Sequence, residues 1–300
     1  MPKQILALGE VLWDVFPDGP RFGGAPANFA CSASELAGTL AHVAIVSAVG
    51  QDDLGELACE TLAKHGVDHA LVASTAAPTG QVNVTLDANG KPTYQFIEHP
   101  AWDQIPDREQ LVDQAGQANL VCFGTLAQRS EISRTTLRRV IQATPATCLR
   151  ILDINLRSPF WHDELILESL ALARVLKLND EELPILARLL GLSGTEEEIA
   201  RSILRRYSLQ LVALTRGAHG SLLISDTGEL SKASGLKVNV VDTVGAGDAF
   251  TAALGLGLLF NLPLNTINDW ANQVAAYVCT QAGGTPTFPT HLHLSKVRAQ

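Results

Sequence analysis

Short apolar runs alternate along the chain with stretches whose apolar residues recur at helical spacing, the signature of βα units feeding a parallel sheet. The runs predict strands over Gln4–Gly9, Val43–Val49, Leu120–Gly124, Leu149–Ile154, Val175–Leu178, Leu209–Leu214, Ser221–Ile224 and Val238–Val241. The helical spacing predicts helices over Ser32–Leu40, Leu54–His65, Ile132–Ala143, Asp163–Ala173, Asp180–Leu190, Glu196–Tyr207 and Leu264–Gln281. Polar residues or glycines follow many of the runs: Glu10, Gln51-Asp52-Asp53, Gly124, Asn155, Asn179 and Thr215. Open α/β sheets bind ligands outside the carboxyl ends of their strands, so these residues mark the active face.

Two segments break the βα rhythm. Leu12–Phe22 carries the turn Pro17-Asp18-Gly19-Pro20, and Gly80–Glu98 alternates like a strand pair around the hairpin signal Asp87-Ala88-Asn89-Gly90. Together, residues 12–22 and 80–99 are expected to form a small antiparallel sheet inserted in one domain spanning 1–300. Such a lobe beside the marked face is placed to act as a lid; a plain edge hairpin is the alternative.

One stretch concentrates candidate chemistry. Val240-Val241-Asp242-Thr243-Val244-Gly245-Ala246-Gly247-Asp248-Ala249-Phe250 reads as a β-branched strand running into two glycines and an acid at the head of an Ala/Leu/Gly helix. Unpaired N–H groups and the helix dipole favour an anion there. Asp248 reads two ways: a proton acceptor for a hydroxyl attacking a phosphate, or a helix cap.

Other clusters are as ambiguous alone. Gly23-Gly24-Ala25-Pro26-Ala27-Asn28 is a second glycine-led helix entry, in which Asn28 offers donors and an acceptor to a polyhydroxylated ligand, with Asp14 upstream. Asn179 and Glu182 stand one helical turn apart, as either a capping box or an amide and a carboxylate for the waters around magnesium. Thr215-Arg216-Gly217-Ala218-His219-Gly220 opens a hairpin that offers a hydroxyl and glycine N–H groups to phosphates, or makes a plain turn. Asp153-Ile154-Asn155-Leu156-Arg157 places an amide and a guanidinium on the marked face, the latter suited to phosphate or to a surface ion pair.

Composition narrows the classes. Three hundred residues, 46% hydrophobic, can bury a large core, and the net charge of −9 without any Lys/Arg run argues against nucleic acid and anionic membranes as partners. Five cysteines, Cys31, Cys59, Cys122, Cys148 and Cys279, form no CxxC pair and read as reduced thiols, three of them among apolar neighbours. No export signal or membrane span is predicted, which points to the cytoplasm. P-loop, dinucleotide-fingerprint, protein-kinase, HExxH and GxSxG motifs are all missing from the sequence.

The motifs taken together resemble the ribokinase-like sugar kinases, the phosphofructokinase-B type family. Gly23-Gly24-x-x-x-Asn28, Asn179-x-x-Glu182, Thr215-x-Gly217-x-x-Gly220 and Asp242-Thr243-x-Gly245-Ala246-Gly247-Asp248 occur in family order nearly end to end. Gly9-Glu10-Val11-Leu12-Trp13-Asp14-Val15-Phe16 and Ala101-Trp102-Asp103 look most like bacterial fructokinases. The resemblance implies a three-layer αβα sandwich with a mostly parallel sheet and a β lid, and ATP-dependent phosphorylation of a hydroxymethyl group, D-fructose being the expected acceptor. It makes Asp248 the base, Gly245, Ala246 and Gly247 the anion hole, and Asp14, Gly23, Gly24, Asn28 and Arg157 the sugar or phosphate grip. It assigns Asn179, Thr215, Gly217, Gly220 and Asn272 to ATP and Glu182 to magnesium through water. Asp242 and the Val244 carbonyl match ligands of a monovalent cation, K+, that the family often binds. Pairing of lids into a homodimer is expected. A 2-keto-3-deoxygluconate kinase or another ribokinase-family sugar or nucleoside kinase is the enzyme alternative, and a non-catalytic sugar or nucleotide sensor the other.

Overall fold

The structure, a computed structural model, describes residues 1–16, 19–86 and 92–299, with only the backbone of 84–86 and 92–94. Its large sheet has nine strands in the spatial order β13-β12-β11-β10-β9-β8-β1-β4-β5. These are β1 (Lys3–Leu8), β4 (Ala41–Gly50), β5 (Val72–Thr75), β8 (Leu120–Phe123), β9 (Leu149–Asp153), β10 (Val175–Asn179), β11 (Leu211–Thr215), β12 (Ser221–Ser225) and β13 (Leu230–Ala233). The sheet is parallel from β5 through β11, and β12 and β13 follow as antiparallel hairpins. Its central strands are buried on both faces, which is why they read as unbroken apolar runs.

Helices cover both faces. Helices α1 (Ala25–Ala37), α2 (Asp53–Lys64), α8 (Ala246–Leu259) and α9 (Leu264–Cys279) share one apolar cluster with Ile5, Ala7, Val43 and Ile45. On the other face lie α3 (Glu109–Ala115), α4 (Glu131–Ala143), α5 (Asp163–Leu172), α6 (Glu182–Leu190) and α7 (Glu196–Arg206), packed on Leu6, Leu8, Ala44 and Val46. A short α10 (Leu294–Val297) closes the chain. The three-layer αβα sandwich is therefore present. Cys31, Cys122 and Cys148 are buried in it, and among the described residues no helix is long and apolar enough to cross a membrane.

Helix α8 is apolar on nearly all sides and buried from Ala249 to Gly257, as a central helix must be. A side chain at Gly255 would meet Ile151 and Leu120 of the sheet at 2.9 Å, so the small residue lets α8 lie directly on the strands.

The second sheet has the order β3-β2-β6-β7, built from β2 (Leu12–Phe16), β3 (Gly19–Gly23), β6 (Gly80–Leu86) and β7 (Pro92–Phe96). Each half is antiparallel, but β2 and β6 join along a parallel seam, so the sheet is mixed where antiparallel pairing alone was expected. Pro17-Asp18 and the Asp87–Gly90 turn lie outside the described residues. Two anchors tie this sheet to the body. Trp13 donates its indole N–H to the Leu54 carbonyl of α2 at 2.9 Å. Beyond β7, the Arg129 guanidinium lies 4.2 Å from the Trp102 ring and 4.3 Å from the Phe160 ring, and Phe96 packs edge-on to Phe160. Asp103 holds that guanidinium in a two-pronged ion pair at 3.0 and 2.9 Å.

One predicted strand is absent. Val238–Val241 forms no strand, and Val240 and Val241 are 62% and 65% exposed. β-branched composition favours extended backbone but creates no partner; the edge is occupied by Leu230–Ala233, and Val241 N–H reaches only the Cys279 carbonyl. Helix α1 starts earlier than expected, directly after Gly24, and α6 later, at Glu182.

The Arg129 anchor generates a stability prediction. Asp103→Ala leaves a mostly buried guanidinium without its carboxylate and should cost about 3 kcal/mol in a urea unfolding titration. A loss within error of zero would mean that the aromatic rings alone hold Arg129.

Candidate active site

The site forms where the N-termini of α1 and α8 meet above the carboxyl ends of β1, β9 and β10. Gly24 precedes α1 at φ 103°, and a Cβ there would stand 2.5 Å from the Glu10 carbonyl oxygen, so only glycine fits. Gly245 caps α8 in the left-handed region at φ 77°, where a Cβ would lie 2.5 Å from Gly284 Cα. The cap is therefore backbone geometry, not Asp248. Asp248 sits inside the first turn and accepts a 2.8 Å hydrogen bond from Asn28 Nδ2, joining residues 220 positions apart. The Asn28 Oδ1 is buried without a partner, an acceptor left for a hydroxyl donor.

Backbone hydrogen bonds take Ala246 N–H to Thr243 at 3.3 Å and Ala249 N–H to Gly245 at 2.8 Å. Gly247 and Asp248 have no backbone acceptor for their N–H groups among the described residues, so these remain for an anion at the positive end of the dipole. Asp248 is pushed up to about 6 by burial and by the charge of Asp153, against Asn28, Lys177 and Arg157.

Asp14 projects from β2, and burial raises its carboxyl to about 6 while Arg157 opposes and Asp242 adds to the shift. A Cβ on Gly23 would lie 2.9 Å from Asp14 Oδ2, so the glycine leaves room for the carboxylate. Arg157 is exposed in the loop after β9, and its charge acts on Glu10, Asp14 and Asp248 alike. A cleft of ≈ 290 Å³ opens between Arg21 and Phe22 of β3 and the loop Ala282–Thr285. Of the sugar-side residues expected from sequence, Gly24 and Asn28 stand on the α1 flank of α8, Gly23 leaves room for Asp14, and Arg157 acts by its charge on Asp14 and Asp248; none of the five lines the cleft itself.

On the other flank, Asn179 and Glu182 form the capping pair: Asn179 N–H donates to Glu182 Oε2 and Glu182 N–H to Asn179 Oδ1, both at 2.8 Å. Glu182 Oε1 also accepts from Leu156 N–H at 2.8 Å, pinning the β9 exit to α6. The Asn179 oxygen takes a second N–H from Glu181 and is filled, leaving its amide hydrogens as the part open to a ligand. Each Glu182 oxygen keeps a lone pair, which fits contact with magnesium through water. Asp242 accepts from Val244 N–H at 3.0 Å and Gly283 N–H at 3.2 Å, tying together the two loops that flank Gly245.

Thr215 ends β11, and Gly217 and Gly220, at φ 50° and 86°, shape the turn into β12. Asn272 faces inward: its amide donates to Ser221 Oγ and, at 2.8 Å, to the Asn268 carbonyl. It is part of a polar network under β12.

Sequence reasoning missed the charges beneath the first turn of α8. Lys177 Nζ pairs with Asp153 Oδ1 at 3.0 Å, Asp153 Oδ2 accepts from Thr251 Oγ1 at 2.8 Å, and Thr251 also bonds the Gly247 carbonyl at 2.9 Å. A Cβ on Gly247 would lie 3.1 Å from Lys177 Nζ. Burial opposes the Lys177 charge, but Asp153, Glu182 and Asp248 outweigh it and raise its pKa. The signal was available: a lysine inside the apolar run Val175–Leu178 of a doubly covered sheet must be paired.

A profile of the "pfkB family carbohydrate kinase" type matches residues 18–291. The chain belongs to this family and is a carbohydrate kinase of the pfkB type. It is 34% identical to a fructokinase of Klebsiella pneumoniae, covering 86% of this chain and 85% of that protein. With a fructokinase of Escherichia coli the identity is 29%, over 98% and 99% of the two chains. The solved structure of a sugar kinase from Pyrococcus horikoshii in complex with ATP superposes with a TM-score of 0.82 at 29% identity, covering 98% of this chain and 99% of that one.

The cap geometry carries a prediction. Gly245→Ala should lower kinase turnover at least ~10²-fold, because a displaced N–H donor costs that much in comparable anion holes. Far-ultraviolet circular dichroism should stay unchanged, and turnover within threefold of the parent would show that the left-handed cap is dispensable.

Proposed function

We propose that the protein phosphorylates the terminal hydroxymethyl group of D-fructose with ATP. The observation that carries this reading is the Asn28–Asp248 hydrogen bond, which fixes a carboxylate at the mouth of an anion-binding helix terminus and beside a sugar-sized cleft. Asp14 and the unpaired Asn28 oxygen would accept sugar hydroxyl hydrogens, with Gly23 and Gly24 letting the ligand approach. Asp248 would orient the attacking hydroxyl and collect its proton late, as a loose transfer requires. Gly245 and Gly247, joined by Asp248, would present N–H groups to the transferred phosphoryl group, the Ala246 N–H being turned to the Thr243 carbonyl, with the Lys177 charge below.

The nucleotide would lie along Thr215, Gly217 and Gly220, with the Asn179 amide hydrogens facing its phosphates and Asn272 beside the adenine; that the Pyrococcus horikoshii sugar kinase was solved in complex with ATP supports ATP as the nucleotide. Glu182 would hold magnesium through water, and Asp242 with the Val244 carbonyl would offer oxygens to K+. Bound magnesium supplies charge that neutralises the phosphates. The small sheet, anchored at Trp13 and Arg129, would act as the lid over the cleft.

A second reading, 2-keto-3-deoxygluconate as acceptor, has its own support. That substrate carries a carboxylate, and Arg21 lines the cleft while Arg157 acts on its Asp14 side. An ADP-release assay comparing kcat/KM for the two acceptors separates them: fructose should be preferred, and a higher value for the acidic sugar would replace this reading.

The base gives two linked expectations. Asp248→Asn should lower kcat at least ~10²-fold and leave sugar affinity nearly intact. Because Asp248 acts as the carboxylate and its pKa is raised to about 6, turnover should be present above that pH and lost as pH falls through it. A pH–rate profile flat down to the ordinary aspartate range would remove Asp248 from the role of base.

A further inference from the structure

Separate from the cleft at Arg21 and Phe22 is a narrow chamber of ≈ 10 Å³ whose lining includes Glu10, Phe29, Thr125, Asp153, Asn155 and Asp248. Glu10 directly follows β1 and is only 3% exposed. The N–H groups of Glu10 and of Ala25, at the start of α1, interact with its carboxyl group. Its Oε2 is buried and has no hydrogen-bond partner among the described residues. A buried carboxyl oxygen left unpaired costs one to three kcal/mol or more, roughly, unless a ligand satisfies it. The chamber is about the size that holds one water, and its polar rim offers the two to four partners, roughly, that a buried water needs.

We propose that this chamber is a water site joining Glu10 to Asp248, and that Glu10 is the second carboxyl group through which the proton of the sugar hydroxyl passes. The inference rests on the kinase reading above. As the sugar oxygen bonds to the phosphoryl group, the phosphoanhydride P–O bond breaks and its electron pair leaves with ADP. The hydroxyl proton passes to Asp248. Asp248 gives it to the water, which gives one of its own to Glu10 Oε2, so Asp248 is a carboxylate again while the cleft is still closed. Glu10 releases its proton to solvent before the next turnover. Glu10 acts through Asp248 and the water and is a positioning residue in that sense.

The surroundings agree in direction. Burial raises the Glu10 carboxyl to about 7, with the Asp248 charge adding to the shift and the two N–H groups and Arg157 opposing it. Asp248, raised to about 6, faces Asp153, Lys177 and Arg157 as its other charged neighbours, and Asn28 as a neutral donor. The remaining titratable group at the chamber, Cys122, is held as a neutral thiol by burial. Two buried carboxyl groups whose charges act on each other titrate as a pair.

The test is a carbon-13 NMR titration of the full-length protein labelled at its glutamate carboxyl groups. One glutamate should titrate near neutral pH and vanish from the spectrum of Glu10→Gln. In Asp248→Asn, which removes the like charge, it should titrate lower by ~0.5 pH units or more. An unchanged titration in Asp248→Asn overturns the coupling, and this arm needs no Glu10 variant to fold. Kinetically, Glu10→Gln should shift the acid limb of kcat toward lower pH and reduce kcat about tenfold at neutral pH, with the KM for sugar unchanged. Loss of activity with a superimposable acid limb would make Glu10 a purely structural residue and overturn the proposal. Absence of ADP release from the parent with every sugar would instead sink the kinase reading, while the NMR coupling is read without turnover.

Discussion

The structure depends on one constraint: the first turns of α1 and α8, encoded 220 positions apart, must lie side by side. The Asn28–Asp248 hydrogen bond closes that contact, and its geometry leaves no slack. Gly245 rests on Gly284, and a Cβ on Gly284 would stand 3.1 Å from the Asn28 amide. Behind it, the small residues of α8 let the helix sink between the sheet, α1 and α9. Tight backbone packing thus serves chemistry directly, because two helix N-termini that converge add their unpaired N–H groups and dipoles at one point.

Such a terminus attracts negative charge indiscriminately, yet this one is surrounded by carboxylates. Asp248 acts on Glu10, Asp153 on both Asp248 and Glu182, and Asp242 on Asp14, against Lys177 and Arg157. Three of the buried acids are held by specific donors. Glu182 takes two backbone N–H groups, Asp153 takes Lys177 and Thr251, and Asp248 takes Asn28. Removing one donor would leave an uncompensated buried charge, which costs more than the pair itself contributes. The Lys177–Asp153–Thr251–Gly247 chain therefore links charge balance under the site to the position of the α8 first turn.

Much of this was legible in the sequence, and the limits are physical. Buried parallel strands announce themselves as apolar runs, so β1, β4 and β8 through β12 emerged nearly in place. The edge did not. Val238–Val241 has strand composition but no neighbour, while Leu230–Ala233 is less apolar and pairs with β12, since pairing is a tertiary property. The parallel seam of β2 and β6 joins segments far apart in sequence, and local pattern carries no such register. Among site residues, motif spacing found Asn28, Asp248, Asn179 and Glu182. It offered a cap and a ligand as alternatives for the last two, and the capping hydrogen bonds are present without exhausting the side chains.

The basicity of Asp248 shows how opposing fields set a functional group. The helix terminus alone would hold the carboxyl low, making a poor proton acceptor. Burial and Asp153 push it up to about 6 instead, and Asn28, Lys177 and Arg157 limit the rise. The outcome lies where a carboxylate is still ionised at neutral pH but has gained affinity for a proton. Lys177 beside Asp153 is part of the same balance: an unpaired charge there would raise Asp248 further. The Lys177–Asp153 pair beneath the α8 terminus and the raised carboxyl of Asp248 on it are then one electrostatic arrangement, carried by strands β9 and β10 and delivered at the head of α8.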